Sequence, residues 1–117
     1  MSKWISKSRR LAIYDKSGYR CHYCGTCLTY DTATIDHIIA RENGGQNNDE
    51  NLVMACRSCN SRKNKKTLEE FRLFISLNNK TAPVVYSQCQ IDQINKLGLL
   101  KAFGVNELHK FYFEVKQ

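Results

Sequence analysis

No stretch of this sequence approaches the roughly 18 consecutive apolar residues of a membrane-spanning helix, so the chain is not expected to enter a bilayer. The opening MSKWISKSRR contains neither an apolar run nor a cleavage site, which removes the usual sign of export and points to a reducing, cytoplasmic setting. Proline is nearly missing. The single one, Pro83, marks a break, and no repeat or low-complexity tract interrupts the rest. Large apolar side chains are scarce across residues 21–66, with little beyond Tyr23, Leu28, Tyr30, Ile35, Ile38, Ile39, Leu52, Val53 and Met54. A chain of 117 residues buries a modest fraction of its surface, so a segment this poor in core-formers needs a staple.

The cysteines supply one. Four of the six form two C-x2-C pairs, Cys21/Cys24 and Cys56/Cys59. In a reducing compartment that pattern favours zinc over disulfides, because each pair can form a tight knuckle and the two knuckles can close a tetrahedral four-thiolate site. Structural zinc contributes about 10–16 kcal/mol of apparent binding free energy, which a thin core cannot match. Cys27 makes a further C-x2-C step with Cys24 and competes for the ion on spacing alone. Cys89 has no partner at metal spacing and is expected to pack on its helix.

Charge is unevenly spread. The net charge is +7, with +5 over residues 1–30, −3 over 31–60, +4 over 61–80 and +1 over 81–117. An acidic centre between basic arms suits a divalent cation flanked by phosphate contacts. Without the cysteines, the same arms would read as a solvated basic surface.

Element signals follow in order. Residues 6–16 read as a helix capped by Ser6 or Ser8 and stopped near Gly18, with Trp4 and Ile5 packing back on it. Residues 32–38 are rich in β-branched side chains and read as a strand, paired either with 28–30 or with 52–55. Asp36 and His37 then lie near a strand end, where consecutive side chains share one centre only if the strand bends or stops. Residues 41–51 form a polar loop turning at Asn43-Gly44-Gly45. A helix begins at the second knuckle and presents Asn60. Thr67 and Glu70 form a capping box for a helix ending at Asn78-Asn79, and Ser87 with Gln90 caps another that stops at Gly98. Residues 109–115 alternate in polarity and read as a strand, pairing with 84–86.

Asp36 and Asn60 offer hard oxygen ligands, and His37, whose side-chain type titrates near neutral pH, adjoins one of them. Phosphodiester hydrolysis needs an activated water and a positive centre on the phosphoryl oxygens. A cation held by two protein oxygens leaves positions for waters and phosphate, and His37 can take the water's proton.

The order of parts is specific: Cys21-His22-Tyr23-Cys24-Gly25, Asp36-His37-Ile38, Gly44-Gly45, Asn51-Leu52, Cys56-Arg57-Ser58-Cys59-Asn60 and Lys63. It resembles the zinc-stapled branch of the HNH (His-Asn-His) endonucleases. The resemblance implies a small ββα-metal (His-Me finger) domain; with the flanking helices and the C-terminal helix/strand extension read above, the expected fold is α+β. The resemblance covers residues 21–66, the core motif of a domain expected at residues 1–80; residues 81–117 fall outside it and form an extension of unassigned role. It also implies His37 as general base, Asp36 and Asn60 as ligands of a divalent metal such as Mg2+, Asn51 as a brace for the loop that orients His37, and zinc on Cys21, Cys24, Cys56 and Cys59. Cys27 is then a free thiol. Asn60 stands where the family name has its last His, and Ile39-Ala40 stand where a proline often follows.

The expected partner is DNA, with RNA as the alternative, and Arg57, Arg62, Lys63, Lys65 and Lys66 are expected to grip its backbone without sequence choice. His22, inside the knuckle, is expected at the surface or on a phosphate. The expected activity is metal-dependent DNA hydrolysis, and the resemblance further implies 3′-hydroxyl and 5′-phosphate ends. The alternatives are an inactive zinc-stapled nucleic-acid-binding module and a structural zinc protein.

Overall fold

The computed structural model describes residues 5–81 and 84–116, apart from the Thr81 side chain; Trp4 and Pro83 lie outside them. The chain forms two compact units. One runs up to Thr67 and takes in the segment from Phe111 onward; the other is Leu68–Lys110. The division falls after Thr67, where the sequence suggests a boundary after residue 80; the helix that follows Thr67 lies in the second unit, and the segment from Phe111 onward in the first.

The first unit is built on a two-stranded antiparallel sheet of β1 (Thr34–His37) and β2 (Leu52–Ala55), registered Thr34 to Ala55 and His37 to Leu52. Of the two pairings open to the sequence, the second is the one formed. All four residues of β2 are buried, which explains its unbroken apolar run. Helix α1 (Lys7–Lys16) is capped by Ser6, whose hydroxyl accepts from the Arg9 amide at 3.1 Å, and it sends Ile13 into the core together with Ile5. Helix α2 (Arg57–Lys63) starts at the second knuckle, and Asn64, at φ +49°, ends it.

The strand predicted over 109–115 is not formed. Tyr112–Val115 is instead a short helix whose Tyr112 and Phe113 amides donate to the carbonyls of Tyr23 (2.8 Å) and His22 (3.1 Å). Phe111 is buried, and the Phe113 ring stacks on His22 at 4.3 Å and 5°. The alternation thus records aromatic packing onto the first knuckle. Gly25 lies under this contact. Its φ is +79°, and a Cβ there would meet the Tyr112 ring at 2.6 Å, so both the turn and the packing demand glycine.

In the second unit α3 (Leu68–Thr81) begins after Thr67 as predicted, but runs past the Asn78-Asn79 stop. The next helix of this unit, α4 (Gln88–Lys96), carries the expected Ser87/Gln90 capping box, and Gly98 at φ +72° follows its end. Leu77, Ile91, Ile94 and Val105 form the core of this unit, with Phe74, Tyr86 and Phe103 against it. Asn78 accepts from the Tyr86 amide at 2.9 Å, a side-chain bond where a strand ladder was expected. Cys89 is exposed, contrary to the packing expected of it. The short helix in the first unit, Tyr112–Val115, is α5 in chain order.

Among the described residues no helix is long and apolar enough to cross a membrane.

Candidate metal centre and active-site cleft

The two knuckles meet. The Sγ atoms of Cys21, Cys24, Cys56 and Cys59 lie within 4.8 Å of one another, the one cysteine, histidine or carboxylate cluster of this kind among the described residues. Each knuckle is closed by a backbone amide pointing at sulfur: Cys24 N to Cys21 Sγ at 3.5 Å, and Cys59 N to Cys56 Sγ at 3.4 Å. A zinc–sulfur bond of about 2.3 Å gives a tetrahedral sulfur–sulfur edge of about 3.8 Å. The Cys24–Cys56 separation is 3.8 Å, so the thiols fit a four-coordinate ion of that size. Cys59 donates to Cys21, which holds the Cys21 thiol down to about 4; the same bond, with burial, pushes Cys59 up. Cys27 is exposed and lies outside the cluster.

His22 is not a surface residue in search of a phosphate. It is half-buried against Phe113, and burial, aided by the nearby Lys116 charge, lowers its pKa to about 4. It is a neutral packing ring at neutral pH.

A cleft of about 140 Å³ brings Asp36, His37 and Asn60 together, with Arg41, Glu42 and Asn64 on its rim. Strand β1 stops at His37, and this lets two consecutive side chains line one cavity. The Asp36 carboxylate is buried; its Oδ2 accepts from the Tyr23 hydroxyl at 2.5 Å and faces Lys63 Nζ at 3.1 Å. Burial pushes the carboxyl up, while Tyr23 and Lys63 pull it back. Tyr23 is held far above the ordinary phenol range by burial and by Asp36, so it stays a neutral donor. Asn60 donates its amide to Thr34 Oγ1 at 2.9 Å.

The 41–51 loop is organised from within. Asn51, nearly buried, accepts from the Ile39 amide at 2.8 Å and donates to the carbonyls of Ile39 (3.0 Å) and Gln46 (2.9 Å), and its own carbonyl accepts from Ile38. Gly45 fits because a Cβ there would sit 1.6 Å from the Ile39 carbonyl oxygen. His37 Nε2 lies 2.6 Å from Asn47 Oδ1. That stretch is tied to α1: Arg9 pairs with Asp49 at 3.0 Å and donates to the Asn47 carbonyl, while Lys16 donates to the Asp49 carbonyl at 2.9 Å. Arg10 donates to the carbonyls of Tyr30 and Ala33. Much of the N-terminal positive charge therefore holds loops. Sequence reasoning missed Asn47, Arg41 and Glu42 because polar loop residues carry no periodicity.

Of the expected backbone-gripping residues, Arg57, Arg62 and Lys65 are exposed, and Lys66 is half-buried with its ammonium on the Arg62 carbonyl at 2.8 Å. Lys63 departs from the expectation. It is wholly buried, paired with Asp36 and donating to the His37 carbonyl at 2.9 Å, so it cannot touch DNA. A lysine is tolerated there because the carboxylate and carbonyl replace its lost hydration. Lys63→Ala should destabilise the metal-loaded protein by about 3–5 kcal/mol, the usual consequence of removing one member of a buried pair. Lys65→Ala should shift stability by no more than about 0.5 kcal/mol. Denaturant titration of both variants checks the contrast.

Residues 21–66 match the family model described as HNH endonuclease. Two known proteins, CRISPR-associated endonuclease Cas9 from Actinomyces naeslundii and from Corynebacterium diphtheriae, are each 42% identical over 55 residues, covering 46% of this chain. The chain spans only 5% of the length of either relative. The crystal structure of the Type II-C Cas9 enzyme from Actinomyces naeslundii superposes with a TM-score of 0.54 at 20% identity, over 95% of this chain and 14% of that one. That likeness is one of fold, and it agrees with the small α+β architecture seen here.

Proposed function

We propose that this chain, whose residues 21–66 match the HNH endonuclease family model, hydrolyses phosphodiester bonds in DNA with His37 as general base and a divalent cation held by Asp36 and Asn60. The observation that carries this reading is the cleft in which those three side chains converge, directly after the knuckle that the cysteines close. Zinc on Cys21, Cys24, Cys56 and Cys59 is structural: it fixes the start of α2 and hence Asn60. A divalent cation such as Mg2+, when bound, supplies positive charge for the phosphoryl and leaving oxygens. His37 takes the proton of the attacking water. Asn51 holds the loop after His37 by three side-chain hydrogen bonds, so the ring sits on a braced backbone. Lys63 and Tyr23 both engage Oδ2 of Asp36, which makes Oδ1 the oxygen available to a cation.

Arg57, Arg62 and Lys65 are the exposed cations proposed to meet the phosphate backbone, with Lys66 beside them. Replacing Arg57, Arg62 and Lys65 together by Ala should flatten the dependence of log affinity on log salt by about 2–3 units, since each phosphate contact contributes about 0.9. Sequence preference should be unaffected. Filter binding across a salt series measures both, and an unchanged slope places the DNA path on another face.

A second reading is favoured by one observation: an Asp36 carboxylate buried and ion-paired is what a purely structural residue would also show. On that reading the chain binds nucleic acid without cutting it. Incubating zinc-loaded protein with supercoiled plasmid separates the two. Hydrolysis requires nicked or linear product with Mg2+ and none with EDTA, and the breaks should carry 5′-phosphates that ligase reseals. Saturated binding without product selects the binding module.

A further inference from the structure

Asn60 has two chemically opposite faces, a carbonyl oxygen that suits a cation and an amide nitrogen that repels one. Nothing in α2 itself decides which face meets the cleft. The neighbouring hydroxyl does. Thr34 Oγ1 lies 2.8 Å from the Ala55 carbonyl oxygen, which can only accept, so the single hydroxyl proton of Thr34 is committed there. Toward Asn60, at 2.9 Å, the same oxygen can then only accept, and the atom it faces must be the amide nitrogen. The carbonyl oxygen of Asn60 is thereby the one left for the cleft that Asn60 lines with Asp36 and His37.

The strand register makes this relay possible. Thr34 and Ala55 are direct partners at the far end of the β1–β2 ladder from His37, and Asn60 lies five residues beyond Ala55, in α2. β1 therefore contributes to the cleft twice, through Asp36 and His37 directly and through Thr34 indirectly. Asp36 and Thr34 are two apart in β1, so their side chains share a face of the sheet.

We infer that Thr34 is a positioning residue of the catalytic site, whose hydroxyl fixes the amide of Asn60 with its oxygen toward the divalent cation. The inference rests on the reading of Asn60 as an oxygen ligand. Thr34→Val keeps the shape of the side chain and removes the acceptor. The Asn60 amide then loses its orienting partner and spends part of its time with nitrogen toward the cleft. Partners of this kind, one step removed from a metal, typically change metal affinity by about 10–100-fold.

The test uses Mn2+ as the probe and the zinc-loaded protein without DNA, with binding read by electron paramagnetic resonance. Thr34→Val should weaken Mn2+ binding about 10-fold or more, while zinc content and circular dichroism match wild type. Thr34→Ser, which restores the hydroxyl, should bind within about 3-fold of wild type. The Asn60 side-chain amide resonances should shift in Thr34→Val and return in Thr34→Ser. In cleavage assays the loss should appear as a higher Mg2+ requirement that excess Mg2+ overcomes. Asn60→Ala is measured alongside. If Asn60→Ala binds Mn2+ like wild type, the underlying reading of Asn60 fails. If Asn60→Ala is weakened and folded Thr34→Val is not, that reading stands and the role of Thr34 is overturned.

Discussion

Stripping the metal from the four cysteines should unfold the unit made by residues 5–67 and 111–116. Structural zinc contributes about 10–16 kcal/mol in small sites, whereas a whole domain is stable by only about 5–15 kcal/mol. The sheet has two strands, too few to stand alone in water, and both arms of its frame end in the knuckles. Without an ion the Cys59 thiol, buried and bonded to Cys21, also retains its proton. Cys59→Ser should therefore abolish the folded signal of this unit, and Cys27→Ser, outside the cluster, should leave it unchanged. Acidification acts in the same direction as chelation, because thiolates must be deprotonated to bind; affinity for zinc falls as pH falls. The measurement is metal content by atomic absorption together with the amide resonances of β1 and β2. Persistence of those resonances in metal-free protein would contradict the staple.

His37→Ala should lower cleavage by about 10²–10⁴-fold, the usual contribution of a positioned general base, with zinc content, folding and DNA affinity near wild type. The ring lies outside the four-cysteine cluster, Lys63 holds the His37 carbonyl and Asn51 holds the Ile38 and Ile39 that follow, so truncation removes chemistry more than structure. Asn60→Ala should behave differently. It removes an oxygen ligand, so activity is lost at low Mg2+ and partly regained at high Mg2+. Excess Mg2+ should not restore His37→Ala, whereas raising pH should in part, because hydroxide needs no base. Initial rates over Mg2+ and pH series distinguish the two variants; identical responses would remove the separate roles.

The metal frame and the cleft residues were legible because their signal is local. A C-x2-C knuckle, a β-branched run and a cap are decided within a few residues, so Cys21, Cys24, Cys56, Cys59, β1, β2 and the Ser87 cap could be read directly. Misreadings arose where distant packing decides. Phe111 and Phe113 alternate like a strand, yet they follow the aromatic surface of His22 and Tyr23, some ninety residues earlier in the chain. Lys63 looks like one of a run of surface cations, but its place in α2 turns it under the sheet toward Asp36. Asn47 and Thr34 are ordinary polar residues until the fold sets them beside His37 and Asn60.

Single-turnover cleavage of DNA bound beforehand to the zinc-loaded protein, started by adding Mg2+, tests the central claim most directly. Wild type should cut in a Mg2+-triggered burst, and His37→Ala, at the same DNA occupancy, should show almost none. Equal bursts would remove His37 as the base, and no burst from wild type on DNA or RNA would contradict the assignment of hydrolysis to this cleft.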